Sequence, residues 1–343
     1  MRHIYQNAWL KARLLEGRTV GFTDRVPDSI FKKINFENHH HDEWIFIKLN
    51  NSSRVRLVVD QNPCFMIDVD KQDNLILIDQ NTNEVLIKSI MFEEAIVHAP
   101  DQLFLGLYEY CRIGCKFCPL STAQDEFIHY SLDSIYKDIA DSSDKKIKSI
   151  GITTAVPYHL SSEDIADEMI FIVSKIREKV GSNIPIGVST RIPSETKLLL
   201  LKEVGASEAR LNIEVPNLEL SKKLMPNKAM AEVFNSIELA CKIFGRGKVS
   251  SNIILGLGET DSDVIACIEH LAKVGAIATL YPYDSFDSEP NCEMQFHRPS
   301  AERLYNLAVA HKDILKKYNL DPCALLTMCP ACAASHIFPG KDL

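Results

Sequence analysis

The sequence predicts an α/β protein built around a partial barrel of six parallel strands, and three observations lead to this fold class. Strand-like and helix-like segments alternate from about residue 100 of the 343-residue chain. Shorter strand-like segments, separated by clusters of turn residues, precede them. Three cysteines lie near the C-terminus. We therefore expect a β-rich N-terminal domain at residues 1–95, the barrel at 96–300, and a C-terminal helix with a cysteine-containing tail at 301–343.

The N-terminal domain is predicted from a short helix and a series of strands. Residues 3–16 place apolar side chains along one side of a helix. Runs of Asn, Asp and Ser separate the strands that follow, a pattern typical of tight turns. The predicted strands are 43–49, 54–60, 65–69, 74–79 and 84–88. We expect these strands to form a small antiparallel sheet.

The barrel is predicted from six strand-and-helix units. Its strands are 103–107, 147–153, 185–190, 208–214, 249–255 and 278–281. Helical patterns lie at 132–140, 161–180, 194–204, 230–243 and 262–274, with a last helix at 301–318. Alternation of this kind gives parallel strands joined by right-handed crossovers. Six units favour an open, TIM-like (β/α)6 barrel, and such barrels carry their sites at the C-terminal ends of the strands.

The composition is that of a globular protein with no membrane span. Hydrophobic residues make up 46% of the chain and the net charge is −8. We therefore expect no general binding to nucleic acid or to membrane surfaces. The sequence has no apolar run of ~18 residues and no apolar signal segment. A cytoplasmic protein is expected. Of its ten cysteines, two groups of three are expected to serve metal or catalytic chemistry rather than disulfides, and the other four need no special role beyond a possible fourth ligand at Cys292.

Three of these cysteines follow the first barrel strand. Cys111, Cys115 and Cys118 have C-x3-C-x2-C spacing, so their thiolates can converge on one soft metal centre. Iron–sulfur clusters normally have four thiolate ligands, and three would leave one iron open to another ligand. A zinc site and three free thiols are the alternatives, but zinc usually has a fourth Cys or His ligand, and none is close in sequence.

This motif and its position resemble the radical S-adenosylmethionine (SAM) superfamily over about residues 100–285. Phe117, just before the last cysteine, belongs to the same pattern. The resemblance implies that the three cysteines hold a [4Fe–4S] cluster whose open iron binds SAM. Reductive cleavage of SAM would give a 5′-deoxyadenosyl radical that abstracts a substrate hydrogen. It also implies a low-potential electron donor of the ferredoxin or flavodoxin type.

The same resemblance implies SAM contacts at the ends of barrel strands two to six. They are Thr153 and Thr154 for the methionine amino group, Ser189 and Arg191 for its carboxylate, Asn212 and Glu214 for the ribose, and Ile254, Gly256 and Tyr281 for the adenine. Two departures from the family pattern stand out, since the second strand lacks its acidic residue and Asn252 replaces a glycine. Alternatively, Arg191 pairs with a surface acid and Glu214 is a solvated strand end.

The tail carries a second triplet, Cys323, Cys329 and Cys332, with C-x5-C-x2-C spacing. It resembles the auxiliary iron–sulfur cluster of many radical SAM enzymes, with an open choice of fourth ligand. The candidates for that ligand are Arg298, His336, His297, Cys292 or a substrate atom. A structural zinc site with His336 is the alternative. We expect the tail to close over the mouth of the barrel.

The leading interpretation of the whole chain is a sulfur-inserting radical SAM enzyme that resembles the biotin synthase and lipoyl synthase group. The auxiliary cluster would then supply the sulfur. Methyl transfer, rearrangement and cofactor-biosynthesis chemistry with an electron-relay cluster are alternatives. A two-cluster electron-transfer protein and a zinc-stabilised binding module are alternatives of other classes. Biotin synthase has no such β-rich first domain, so this domain is a candidate docking module for a carrier protein or partner subunit.

Overall fold

The computed structural model describes residues 4–31, 37–39, 42–50, 52–94, 99–108, 111–118, 120, 131–141, 147–191, 194–284 and 294–343. Within these ranges the chain forms two sheets, an eight-stranded one from the N-terminal residues and a six-stranded one that follows it. The candidate site lies where the two parts meet.

The N-terminal part begins with helix α1 (Gln6–Gly17) and includes the one-turn helix α2 (Asp28–Phe31). Its strands are β1 (Thr19–Phe22), β2 (Glu37–His39), β3 (Asp42–Lys48), β4 (Arg54–Val59), β5 (Phe65–Val69), β6 (Leu75–Asp79), β7 (Val85–Ile87) and β8 (Met91–Glu93). The expected antiparallel sheet is wrong in its centre, where β1 pairs in parallel with both β4 and β5. This happens because residues 23–53 return the chain to one side of β1, as a parallel neighbour requires, and the short segment 60–64 then takes it to the other side.

The second sheet consists of six parallel strands in sequence order. They are β9 (Gln102–Gly106), β10 (Ser149–Thr153), β11 (Ile186–Ser189), β12 (Glu208–Arg210), β13 (Val249–Leu255) and β14 (Ile277–Pro282). The intervening helices are α3 (Leu132–Asp141), α4 (Ser162–Val180), α5 (Glu195–Glu203), α6 (Leu218–Leu224), α7 (Met230–Phe244) and α8 (Asp261–Val274). The predicted α/β class and open six-unit barrel are therefore confirmed.

Local sequence fixes where the barrel helices start. Ser161 caps α4 and Thr260 caps α8, each through a capping box with an aspartate three residues later. Such boxes satisfy backbone amide groups that have no partner inside the helix. Since each cap follows a strand end directly or after a short loop, the caps help to set the loops that line the barrel mouth.

The C-terminal residues pack on both parts of the molecule. Helix α9 (Ala301–Lys317) contacts α1 and α8, and the Trp9 ring meets the Tyr305 ring edge-on at 5.9 Å. A 3-10 turn (Pro322–Ala324) and helix α10 (Met328–Cys332) follow.

The tail enters the barrel from the N-terminal end of its strands, so the expectation that it covers the mouth is wrong. The carboxylate of Glu208, the first residue of β12, accepts hydrogen bonds from the amides of Leu326 and Thr327. Gln102, the first residue of β9, binds the carbonyl oxygen of Met328 at 2.9 Å. The reason is that these polar side chains at the strand starts satisfy the backbone of the buried tail.

Among the residues that the structure describes, no helix is long and apolar enough to cross a membrane.

Candidate active site

A cavity of about 480 Å³ lies at the C-terminal ends of the barrel strands. The loop after β9 contributes one wall, the ends of β10 to β14 another, and the N-terminal part and the tail a third. The predicted parallel topology accounts for this position, because such barrels bring all their strand ends to one face.

The three cysteines of the first motif line this cavity together. Neighbouring loops hold their segment through backbone hydrogen bonds, from the Arg112 amide to the Val156 carbonyl oxygen (2.8 Å) and from the Lys116 amide to that of Leu224 (2.9 Å). Burial raises the pKa of the Cys115 thiol, and Glu214 raises it further. A metal centre would therefore have to drive deprotonation of this thiol as it binds.

Within the described ranges, no three His, Cys, Asp or Glu side chains are arranged to hold a metal ion. The donor chemistry nevertheless fits an iron–sulfur cluster, since three soft thiols share one cavity wall. Their role as ligands remains a prediction.

Eight of the nine predicted SAM-contacting residues line the same cavity. They are Thr153, Thr154, Ser189, Arg191, Asn212, Glu214, Ile254 and Tyr281. Gly256 does not line it, because its Cα faces the segment that precedes α9. A Cβ at Gly256 would lie 2.0 Å from the carbonyl oxygen of His297, and φ is +109° there. The glycine thus permits a close approach of backbone to backbone at this turn.

Polar groups on the cavity wall are available for a ligand. The hydroxyl oxygen of Thr190 and the amide oxygen of Asn252 are buried and have no hydrogen-bond partner among the described residues. Both residues line the cavity. Buried polar atoms are normally satisfied, so these two fit the hydroxyl and amino groups of a bound nucleoside or amino acid.

Glu214 and Arg191 are held by polar neighbours. The Asn212 amide nitrogen donates to a Glu214 oxygen at 3.4 Å, and Lys228 pairs with the other oxygen at 3.3 Å. Arg191 donates to the carbonyl oxygen of Asn227 at 2.7 Å and forms no ion pair with a described residue. The alternative interpretations of Arg191 as part of a surface ion pair and of Glu214 as a fully solvated side chain therefore have no support.

Glu259 stabilises the turn after β13. Its carboxylate accepts hydrogen bonds from the amides of Gly256 and Leu257 at 2.8 and 2.9 Å, and it pairs with Arg303 of α9 at 2.9 Å. It is buried and does not line the cavity. Its position indicates support of the turn.

Sequence reasoning missed the wall that comes from outside the barrel loops. Arg18 and Arg56 of the N-terminal part line the cavity, together with Arg298 and Asp284. Arg18 and Arg298 both pair with Asp284, the latter at 3.3 Å. The pair of Arg18 with Asp284 joins segments separated by more than 200 residues, so no local pattern reports it.

Two of the three tail cysteines lie together beneath this site. Cys329 and Cys332 line a small second cavity that shares Arg56 and Tyr281 with the first. The Cys329 sulfur accepts a hydrogen bond from Arg210 at 2.8 Å. Cys323, in contrast, is exposed, and its sulfur lies 3.5 Å from the Gly340 carbonyl oxygen. The structure therefore does not bring the predicted triplet together.

Of the candidates for a fourth ligand, His336 is fully buried, and neither of its ring nitrogens has a hydrogen-bond partner among the described residues. Its ring lies 4.8 Å from that of Tyr281, measured between centroids. Cys292 is outside the described residues.

The fold and the site are those of an open parallel barrel with three thiols in the loop at its mouth. Residues 106–271 match the family model described as "Radical SAM superfamily". The chain belongs to this superfamily and is a radical SAM enzyme, which implies a [4Fe–4S] cluster and SAM as its cofactors.

Solved structures agree with the fold. A methylornithine synthase (PylB) is 16% identical, with a TM-score of 0.54 and coverage of 70% of this chain and 72% of that chain. The FeFe-hydrogenase maturase HydG from Carboxydothermus hydrogenoformans is 16% identical, with a TM-score of 0.52 and coverage of 63% and 52%, respectively. At such identities the likeness concerns the fold alone. No curated protein sequence matches the chain.

Proposed function

We propose that this radical SAM enzyme abstracts a hydrogen atom from a small substrate held in the 480 Å³ cavity. The observation that carries the proposal is the convergence on one cavity of the three motif cysteines and eight of the predicted SAM-contacting residues. When bound, the cluster and SAM supply a 5′-deoxyadenosyl radical. Because that cavity also has to admit SAM, it favours a small substrate.

The chain's own residues would hold and enclose the reactants. Cys111, Cys115 and Cys118 supply the thiolates. The Asn212–Glu214 pair offers an acceptor and a donor for vicinal hydroxyls, and the Thr190 hydroxyl and Asn252 amide oxygen gain partners. Apolar side chains on the same wall limit water and so protect a reactive intermediate from side reactions.

Anaerobic cleavage of SAM tests this proposal. Iron-loaded protein, reduced in the presence of SAM, is expected to form 5′-deoxyadenosine, and the C111A/C115A/C118A variant is expected to form none. C64A is the matched control, because Cys64 lies at the N-terminal sheet away from the cavity. Absence of 5′-deoxyadenosine from fully iron-loaded wild-type protein would contradict the proposal.

We further propose that the tail holds a second iron–sulfur cluster that serves as the sulfur source for insertion into a C–H bond. The support is local charge and position. Cys332 interacts with four basic side chains that would offset the negative charge of a cluster. They are Lys11, Arg54, Arg56 and Lys341. Since Cys323 is exposed on the outer side of the tail, its participation requires movement of the Pro322–Ala324 turn.

Iron content is the readout for the second cluster in the same preparations. Wild-type protein is expected to bind the iron of two clusters, about eight atoms if both are [4Fe–4S], and C329A/C332A about four. If the site has three thiolate ligands, C323A should lose iron. If only Cys329 and Cys332 are thiolate ligands, C323A should keep the iron content of the wild-type protein. If wild-type protein binds iron for only one cluster, the proposed second cluster is wrong. SAM cleavage would still test the first cluster independently.

Two partners complete the proposal. A low-potential ferredoxin- or flavodoxin-type donor would reduce the cluster, since SAM cleavage consumes an electron. The N-terminal part is retained as a candidate docking module for a carrier protein or partner subunit.

A further inference from the structure

The cavity is cationic in a chain that is acidic as a whole. Its described lining contains five basic residues and two acidic ones, whereas the full sequence has a net charge of −8. Lys228 is paired with Glu214, and Arg18 and Arg298 share Asp284. Positive charge concentrated in a concave, partly apolar site attracts anionic ligands.

Two members of this group form no ion pair with a described residue. Arg191 donates instead to the carbonyl oxygen of Asn227 at 2.7 Å, which leaves Arg56 as the one whose side chain has no polar partner among the described residues. Its guanidinium carbon lies 3.5 Å from the centre of the Trp44 ring, and its side chain forms no ion pair or hydrogen bond with a described residue. Burial lowers the pKa of Arg56, but an arginine stays protonated in proteins. Asp284 and the Cys332 thiol interact with this cation electrostatically but form no ion pair or hydrogen bond with it, so an anion bound in the cavity would stabilise it directly in this poorly solvated place.

The stacking on Trp44 orients this guanidinium. Trp44 on β3 and Arg56 on β4 are diagonal neighbours on adjacent strands, since Trp44 pairs with Val58 and Phe46 with Arg56. A guanidinium that stacks on an aromatic face keeps the N–H donors of its planar edge free for a ligand, and Arg56 lines the cavity. Such a fork matches the two oxygens of a carboxylate.

We infer that the substrate of this enzyme carries a carboxylate, and that Arg56 binds it at the wall formed by the N-terminal sheet. This inference deepens the proposed function and rests on it, because only a working enzyme has a substrate. Binding of a carboxylate at Arg56 can be measured without turnover. At this wall Arg56 has no ion pair, while Arg18 and Arg298 share Asp284. A single unpaired guanidinium matches a singly charged ligand, which favours a carboxylate over a phosphate dianion. Arg56 is thus a specificity-determining residue, assigned from contacts that join β4 to the barrel mouth.

Calorimetric titration of the iron-loaded, SAM-bound protein with pentanoate tests the inference, and pentanamide is its neutral isostere. Wild-type protein is expected to bind pentanoate about tenfold or more tightly than pentanamide, the range expected of a charged hydrogen bond. R56Q is expected to lose that preference, and R56K, which retains the charge without the fork, to keep part of it. R25Q is the matched control, because Arg25 is 68% exposed, does not line the cavity and should leave both affinities unchanged.

Three results would overturn the inference: equal affinities of wild-type protein for pentanoate and pentanamide, unaltered pentanoate binding by folded R56Q, or tighter binding of inorganic phosphate than of pentanoate. If circular dichroism shows that R56Q is unfolded, the wild-type comparison of the two ligands decides alone. Failure of SAM cleavage with retained pentanoate preference would reject the proposed function and keep the anion site, and the reverse result would reject the anion site alone.

Discussion

Lys11 and Asp342 form an ion pair that is completely buried between α1 and the C-terminal end of the chain. Their closest nitrogen–oxygen distance is 2.8 Å, and both side chains are 0% exposed. Lys11 also donates to the Ala333 carbonyl oxygen at 2.6 Å, and the Ser53 hydroxyl donates to Asp342. Burial lowers the pKa of Lys11 while Asp342 opposes that shift. The pair therefore joins three segments that are distant in sequence.

Removal of one partner from this pair should be costly. In K11M, Asp342 stays buried without its counter-ion, and we expect a loss of about 3–5 kcal/mol in the free energy of unfolding. Urea denaturation followed by circular dichroism measures it. The double variant K11M/D342L should recover most of the loss, because it removes both charges from the interior. A cost for K11M no larger than the ~1 kcal/mol of a surface pair would contradict this account.

At the scale of elements, the regular parts of the barrel could be predicted and the irregular ones could not. The predicted strand 249–255 coincides with Val249–Leu255, because its apolar residues Val249 and Ile253–Leu255 lie between glycine-containing turn segments on either side. The predicted strand 208–214 is too long, since β12 ends at Arg210 and Glu214 adopts a positive φ of 65°. Strand β1 was missed, because four residues including a glycine are too few for a periodic signal.

Some residues of the candidate site could likewise be predicted from sequence, and others could not. Cysteine spacing and strand-end polarity are local features, so the residues after β9 to β14 could be named from sequence. Arg18 and Arg56 reach the cavity only through packing of the N-terminal part on the barrel, which no local pattern reports. The separation of Cys323 from Cys329 likewise depends on how the tail enters the barrel at the N-terminal end of its strands.

The insertion of the tail depends on the absence of a side chain at Gly187 in β11. A Cβ there would lie 2.0 Å from the hydroxyl oxygen of Thr327 and 2.7 Å from its Cβ. Thr327 cannot turn away freely, because it is 1% exposed and its hydroxyl donates to Glu208 at 2.7 Å. G187A is therefore expected to displace the tail and to cost about 1–3 kcal/mol, as overpacking does.

Cysteine alkylation measures this displacement of the tail. The rates are determined by mass spectrometry on reduced, metal-free protein. Cys329 and Cys332 should react faster in G187A, while Cys64 serves as the internal reference. G181A is the matched control: Gly181 has a φ of +71° that strains an alanine, but no atom lies within 4 Å of the new Cβ. Unchanged rates for Cys329 and Cys332 in folded G187A would show that the tail is not held at this contact.

At the scale of the whole molecule, the N-terminal sheet and the barrel form one structural unit around the site. Arg54 of β4 pairs with Asp101, just before β9, at 2.8 Å, and Lys148, just before β10, pairs with the same carboxylate at 3.0 Å. The buried pair of Lys11 with Asp342 adds a second connection. Because the cavity has walls from both parts, their association positions Arg56 relative to the cysteine loop.

This architecture predicts a single cooperative unfolding transition. Both tryptophans, Trp9 and Trp44, lie in the N-terminal part, whereas most of the helices that dominate far-ultraviolet circular dichroism belong to the barrel. Urea transitions followed by fluorescence and by circular dichroism should therefore coincide in the wild-type protein.

In D101N, where a neutral amide replaces the carboxylate that Arg54 and Lys148 share, the fluorescence transition should move to a lower urea concentration than the dichroism transition. E238Q, which removes an exposed pair within α7, should leave the two coincident. Transitions that already differ in the wild-type protein would mean that the sheet folds independently of the barrel, and the cavity wall bearing Arg56 would then form only when the two associate.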